Sequence, residues 1–310
     1  MDRQERLSRL RALSPAQREH LVCSLGVGAT VDDAAPLAVP HRADASPCQL
    51  SFAQRRLWYL ERLMPGSPAY HVPFALRLDG TLDPTALAWG LAEIARRHEV
   101  LRMRIRIDET GEPLQDVAPG TELSLRHVDL SGFGRPQRAA QLDSLAVAEA
   151  RMSFDLADGP LVRATLVHCG PSESVLLLTL HHIASDGWSD GVLLYELSEL
   201  YRAALAGQPS PLVPLPIQYA DFAVWQRQSL QGPALERLLA YWRQQLAGAP
   251  PLLDLPTDRP RTVQRSDRGA TSRLSLSAAL AGEIAHFGRK QGLTDFMVLL
   301  GAFQDDDHGG

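Results

Sequence analysis

Apolar and polar residues alternate along this chain with two different periods, and each period predicts its own kind of element. A period of two, or a short unbroken apolar run, is typical of strands. A period near 3.6 is typical of helices with one buried stripe. The predicted strands are 71–78, 101–107, 114–117, 122–129, 161–167, 175–180 and 273–276. The predicted helices begin at Ser51, Asp83, 135, Leu193, Tyr219, Leu235, Ala278 and Thr294.

Strands and helices interleave along most of the chain, which predicts an α/β fold with layered, mixed sheets. The apolar runs 161–167 and 175–180 are separated by a short turn rich in Gly, Pro and Ser. They therefore predict an antiparallel hairpin within the sheet. Residues 3–25 predict a short helical pair, and residues 26–47 have the composition of a linker. The length of 310 residues is compatible with two domains or lobes.

Composition and charge narrow the class of protein. The chain is 45% hydrophobic and 22% charged, which is ordinary for a globular protein. Its net charge of −5 argues against a nucleic-acid binder that relies on a basic surface. The three cysteines are far apart and odd in number, and the N-terminus lacks an apolar signal sequence, so we expect a reducing cytoplasm. No apolar run approaches the length of a transmembrane helix, and no membrane partner is expected.

The candidate catalytic residues lie mainly at the end of the apolar run 176–180. There His181 and His182 are followed by a short polar loop that closes on Asp186 and Gly187. Because side chains alternate across a strand, the two histidines should face opposite sides of the sheet. If His182 faces a cavity, His181 faces the packing behind it. Gly187 is expected to permit a tight turn that most other residues would resist.

Three interpretations of this stretch are open on the residues alone. The two histidines can be ordinary core residues. A metal site is the weakest interpretation, because adjacent strand histidines diverge and no cysteine or third histidine lies nearby at ligand spacing. The third interpretation is an acyl-transfer site, with His182 as base or orienting group and Asp186 as its structural partner.

Several motifs in order resemble those of the condensation domains of nonribosomal peptide synthetases. The histidine stretch matches their His-His-x-x-x-Asp-Gly signature. The segments 50–60, 97–102 and 219–227 resemble their first, second and fourth core motifs. Further family-like stretches are 154–156, 159–164 and 255–261. The resemblance runs from about Ser46 to Gln304, and several ordered motifs make it far stronger than the histidines alone.

The resemblance implies an α/β fold like that of chloramphenicol acetyltransferase, with two lobes, a mixed sheet and an active-site tunnel between the lobes. Residues 1–47 would be an N-terminal helical segment and linker, and 48–207 the first lobe. Residues 208–304 would begin the second lobe, and 305–310 form a tail unlike the family. The second lobe would then be incomplete. The apolar helix 295–303 would lack its cover, so a poor enzyme is expected.

The resemblance also implies an acyltransferase-type enzyme that forms peptide bonds. The amine of an acceptor aminoacyl thioester would attack a donor acyl or peptidyl thioester. His182 would act as base or would orient the amine, and Gly187 could direct its backbone N–H toward the substrate. Asp186 is expected to hold the loop through an ion pair with an arginine of the second lobe. His181, Arg97 and Trp58 are expected to be structural.

The family implies no metal and no cofactor held by the domain itself. Both substrates would arrive on the 4′-phosphopantetheine arms of upstream and downstream peptidyl carrier domains, beside an adenylation domain. Residues 67–70 and 188–191 are most like the subtype that joins two L-amino acids. The alternatives are an inactive truncated fragment, a non-catalytic module that recruits carriers or partners, and an epimerisation domain. Recruiting modules of this fold lose the histidine motif, whereas this chain keeps it.

Overall fold

The computed structural model describes residues 39–118, 120, 123–250, 272 and 274–307. By their contacts these residues form two compact units, 39–250 and 272–307. The helical pair predicted at 3–25 and the family-like stretch 255–261 lie outside the described residues. The segment 208–250 belongs to the first unit. The division of the family lobes at 207/208 stays a prediction.

The elements largely follow the predicted order. The strands are β1 Cys48–Gln49, β2 His71–Asp79, β3 Met103–Ile107, β4 Pro113–Val117, β5 Leu125–Asp129, β6 Val162–Gly170 and β7 Glu173–His181. The helices of the first unit are α1 Phe52–Leu63, α2 Pro84–Arg97, α3 Arg135–Arg151, α4 Ser189–Leu205, α5 Tyr219–Ser229 and α6 Gly232–Gln245. Those of the second unit are α7 Ala278–Gln291 and α8 Asp295–Asp307. Two 3₁₀ turns, Pro68–Tyr70 and Glu99–Arg102, precede β2 and β3.

The main sheet has four strands in the order β2-β7-β6-β5. Strands β6 and β7 form the predicted antiparallel hairpin, β2 pairs antiparallel with β7, and β5 runs parallel to β6. The sheet is therefore mixed, as the sequence predicted. Strand β7 lies between two neighbours, and all of its residues after Glu173 are buried. The strand that leads into the histidine loop is thus paired along both edges and buried over almost its whole length.

Helices cover both faces of this sheet, which explains why β7 is apolar without interruption. On one face, Leu178 and Leu180 of β7 pack with Leu91 of α2 and Leu200 of α4. On the other face, the apolar side chains of β7 belong to a separate cluster that α3 covers. Its members are Val175, Leu177, Val167, Cys169 and Leu130, with Leu142 and Leu145 of α3. The alternation along β7 therefore sends even-numbered residues toward α2 and α4, and odd-numbered residues away from them.

A second, three-stranded sheet in the order β1-β4-β3 supports the start of α1. Ser51 caps α1 by accepting the amide N–H of Gln54, and the Gln54 side chain accepts the Ser51 N–H in return. Ser51 followed by Gln54 three residues later is the sequence signature of this capping box. Trp58 of α1 is buried in a cluster with Leu161 and Ile183, so the first core motif packs beneath the histidine loop.

Three sequence predictions need correction. The alternation along the predicted strand 101–107 places Ile107 inward, but its side chain is 48% exposed because it is the last residue of β3. Residues 274–276 form no strand, and Arg273 of that prediction lies outside the described residues. Helix α4 begins at Ser189 rather than at Leu193. Its polar first turn breaks the apolar period that marked the rest of the helix.

Candidate active site

A cavity of about 600 Å³ opens in the first unit on the α2 and α4 side of β7. Its wall is largely apolar and comes from α1, α2, the histidine loop, α4 and the segment 215–222. Polar groups converge on the loop, where His182, Ser185 and Asp186 line the cavity. An apolar pocket with a few convergent polar groups is typical of a site that orients an organic substrate.

Backbone hydrogen bonds hold His182 directly after the last residue of β7. Its amide N–H donates to the carbonyl oxygen of Tyr70 at 2.8 Å. Its ring atom Nδ1 lies 2.6 Å from the carbonyl oxygen of Ser185. A carbonyl can only accept, so Nδ1 carries the proton and the neutral ring keeps its lone pair on Nε2. The side chain is exposed, and Nε2 has no hydrogen-bond partner among the described residues. His182 is therefore held in the tautomer that a proton acceptor requires.

His181 faces the opposite side and has a different environment. Its side chain is fully buried near Phe154 and His71. The amide N–H of Ile183 donates to His181 Nδ1 at 3.1 Å, so the proton of the neutral ring sits on Nε2, which is buried without a partner among the described residues. Burial lowers the pKa of His181 to about 4, helped by electrostatic interactions with the neighbouring His71, His182 and Arg163 side chains. The ring is neutral near pH 7 and faces away from the cavity.

Asp186 anchors the loop to the start of α4. Its Oδ1 accepts hydrogen bonds from Ser189 Oγ at 2.8 Å, from Ser189 N at 3.0 Å and from Trp188 N at 3.1 Å. These bonds, first of all that of the Ser189 side chain, lower the pKa of the carboxyl group. Within the described ranges Asp186 has no ion pair, and the expected arginine partner is not among them. The loop is held here by hydrogen bonds.

Gly187 does not have the backbone conformation that the sequence predicted. Its φ lies outside the left-handed region, and a Cβ at this position would meet no atom within 4 Å. The expectation of a tight turn that most other residues would resist is therefore wrong. The reason is that the Asp186 carboxylate, rather than a positive φ, closes the turn. Gly187 is exposed, and a contact of its N–H with substrate stays a prediction.

The second core motif ends α2 and ties it to α4. Arg97 Nε donates to Glu196 Oε1 at 3.1 Å, and His98 Nε2 lies 2.7 Å from Glu196 Oε2. Glu196 is only 5% exposed. Gln218 extends the network by donating to the carbonyl oxygen of Arg97. These contacts give Arg97 the geometry of a structural residue. Glu196 was not among the predicted site residues, although an acidic residue amid the apolar residues of α4 was a usable signal.

The fourth core motif also makes structural contacts. Asp221 is 3% exposed, and it accepts the backbone N–H groups of Gln218 and Arg42. Tyr219 Oη lies 3.1 Å from Ser51 Oγ, next to the α1 cap. Helix α5 is thereby fastened to the start of α1 and to the chain that precedes β1.

The described residues contain no group of three or more His, Cys, Asp or Glu side chains arranged to hold a metal ion. None of the helices that the structure describes has both the length and the apolar character of a membrane span.

The chain matches a known protein family. The family model described as the condensation domain matches residues 45–304. The chain belongs to the condensation-domain family, as the ordered motifs predicted. Its structural neighbours are condensation and X domains, which have the fold of chloramphenicol acetyltransferase.

Similar curated proteins are large peptide synthetases. The chain is 44% identical over 283 residues to one polypeptide of the linear gramicidin synthase of Brevibacillus parabrevis, a match that covers 91% of this chain and 4% of that protein. It is 41% identical over 297 residues to phosphinothricin tripeptide synthetase PhsC of Streptomyces viridochromogenes, covering 96% of this chain and 27% of that protein. The chain thus spans only a small part of these relatives.

Two solved structures show the same fold. The X-domain from teicoplanin biosynthesis is 29% identical with a TM-score of 0.72, over 83% of this chain and 56% of that one. The first condensation domain of the calcium-dependent antibiotic synthetase, in complex with a substrate analogue, is 27% identical with a TM-score of 0.59. That match covers 66% of this chain and 48% of the solved one.

Proposed function

We propose that this chain forms a peptide bond between two thioester substrates, with His182 as the group that accepts or shares the proton of the attacking amine. The observation that carries the proposal is the hydrogen bond from His182 Nδ1 to the Ser185 carbonyl oxygen, 2.6 Å long. It leaves Nε2 as a free acceptor on a side chain that lines the cavity. Peptide-bond formation is the general activity of the family to which the chain belongs.

The chemistry needs only modest assistance, because a thioester is already activated. The acceptor nitrogen attacks the thioester carbonyl carbon, a C–N bond forms and the C–S bond breaks. The proton lost by the amine passes to His182 Nε2 and from there to the departing thiolate. The products are an amide and a free thiol, and no oxidant or metal takes part. The protein contributes mainly by keeping the substrate amine neutral, by aligning it with the thioester carbonyl carbon and by stabilising the charge of the tetrahedral intermediate.

The family context supports the source of both substrates. We place donor and acceptor on the 4′-phosphopantetheine arms of peptidyl carrier domains, with an adenylation domain loading the acceptor carrier. We assign no cofactor to the chain itself. Residues 188–191, beside the cavity, resemble the subtype that joins two L-amino acids, and this resemblance supports L-amino acids as both substrates. The cysteine content supports a cytoplasmic location.

The proposal is tested by incubating the purified full chain with a donor carrier and an acceptor carrier, both loaded with L-amino acids. We expect an L,L-dipeptide on the acceptor carrier, detected by mass spectrometry after thioester cleavage and chiral analysis. Omission of the chain is the control for uncatalysed transfer. Product formation no faster than in that control would contradict the proposal.

A recruiting function is the second candidate, because the TM-score of 0.72 is with an X-domain. Another structure of an X-domain from the same biosynthesis is a complex with OxyB. A recruiting module would bind loaded carrier or a partner enzyme without forming product. An epimerisation domain would instead invert the acceptor residue without lengthening it. The same assay separates the three, since a condensation domain lengthens the product, an epimerisation domain changes only its configuration and a recruiting module does neither.

A further inference from the structure

Ser185 holds a buried polar group that no contact explains. The residue is 8% exposed and lines the cavity beside His182. Its Oγ atom is buried and has no hydrogen-bond partner among the described residues. A buried hydroxyl without a partner costs free energy, and each such group in a native structure calls for an explanation. The simplest explanation is a partner that arrives with the substrate.

The other hydroxyl groups that line the cavity are already engaged. Ser189 Oγ donates to the Asp186 carboxylate at 2.8 Å. Tyr219 Oη is 3.1 Å from Ser51 Oγ. Among the described hydroxyl-bearing residues of the cavity wall, Ser185 is thus the one whose hydroxyl has no hydrogen-bond partner. Its position is fixed relative to the imidazole, because its own carbonyl oxygen holds His182 Nδ1.

We propose that the Ser185 hydroxyl donates a hydrogen bond to the carbonyl oxygen of the donor thioester as the amine adds to it. This inference rests on the proposed function. The carbonyl oxygen gains negative charge in the tetrahedral intermediate, and a preorganised donor in a water-poor site stabilises that charge most effectively. No bond to Ser185 forms and its proton stays on Oγ. The base and the oxyanion donor then come from one loop, which fixes the distance between them.

The Ser185→Ala variant separates this role from a structural one, because the two predict opposite effects. In the free protein, removing an unpaired buried hydroxyl should leave the melting temperature unchanged or raise it. In catalysis, kcat should fall by roughly 100-fold while KM for the acceptor changes by less than about twofold. Ser185→Thr keeps the hydroxyl and should recover most of the rate. Ser185→Cys, with its weak thiol donor, should lie between the two.

A binding measurement makes the test independent of turnover. The probes are a pantetheine-linked phosphonamidate, whose anionic tetrahedral phosphorus resembles the intermediate, and the corresponding planar carboxamide. We expect calorimetry on the full wild-type chain to show tighter binding of the phosphonamidate. In Ser185→Ala this preference should shrink by about tenfold or more, with carboxamide binding unchanged.

The outcomes distinguish the two proposals. An unchanged preference and unchanged kcat in Ser185→Ala would overturn the role of Ser185 and leave the proposed function intact. A higher acceptor KM at constant kcat would also overturn it, because the hydroxyl would then hold the amine. A wild-type chain that binds neither probe would contradict the proposed function itself, and the role of Ser185 with it.

Discussion

The backbone N–H of Ile183 points at Nδ1 of His181, 3.1 Å away, and so fixes the second histidine tautomer of the loop. His182 donates through Nδ1, whereas His181 accepts through Nδ1. Two adjacent residues of the same type therefore hold opposite tautomers. The loop that presents the exposed member to the cavity also fixes the tautomer of the buried member, which burial keeps neutral.

We expect His181 to lower the free energy of unfolding in mild acid. Its pKa falls from an ordinary 6.5 to about 4 in the folded chain. Between these values the unfolded chain binds a proton that the folded chain does not, so the free energy of unfolding decreases as the pH falls from 6.5 toward 4. The pKa difference corresponds to about 3 kcal/mol, and this loss is absent above pH 6.5.

Urea unfolding of wild type and His181→Gln across this pH range measures the effect. The glutamine carbonyl can still accept the Ile183 N–H but does not titrate. We expect a flatter pH dependence for His181→Gln, and wild-type behaviour for the exposed control His127→Gln. Equal slopes for wild type and His181→Gln would show that His181 does not carry the effect.

Asp186→Ala should destabilise the chain by about 1 kcal/mol, the usual net contribution of a local hydrogen bond made by an exposed side chain. An ion pair buried in the protein would have been worth more, roughly 3–5 kcal/mol on loss of one partner. The smaller value follows because the carboxylate is exposed and its described partners are Ser189 and the Trp188 backbone. Thermal unfolding checks it, with the exposed Asp143→Ala as matched control. A loss of several kcal/mol would mean that a basic partner beyond the described contacts exists.

Glu196→Ala should be far more damaging, by roughly 3 kcal/mol or more. Glu196 is buried between Arg97 and His98, and its removal leaves the Arg97 guanidinium, whose side chain is 11% exposed, without its charge partner. In a double-mutant cycle, Arg97→Met should cost much less in the Glu196→Ala background than alone. Additive losses in denaturant unfolding would rule out this coupling.

Much of the fold could be predicted because local patterns and packing agree. The capping box at Ser51, the hairpin of β6 and β7 and the opposite facing of the two histidines all follow from periods and local hydrogen-bonding chemistry. What the sequence did not reveal depends on distant contacts. Glu196 meets its partners Arg97 and His98 only when α2 and α4 pack together. Ser185 lines a cavity only once other elements have packed around its loop. Gly187 was misjudged because Asp186 closes the turn.

The most direct test of the role of His182 is the rate of peptide-bond formation on loaded carriers in His182→Ala. Removal of the proton acceptor should lower the rate by about 100-fold or more, the usual range for a positioned general base. The fold should be kept, since the imidazole is exposed and its described side-chain bond is to the Ser185 carbonyl oxygen. His127→Ala should retain the wild-type rate. A folded His182→Ala chain that forms dipeptide at the wild-type rate would contradict the role assigned to His182.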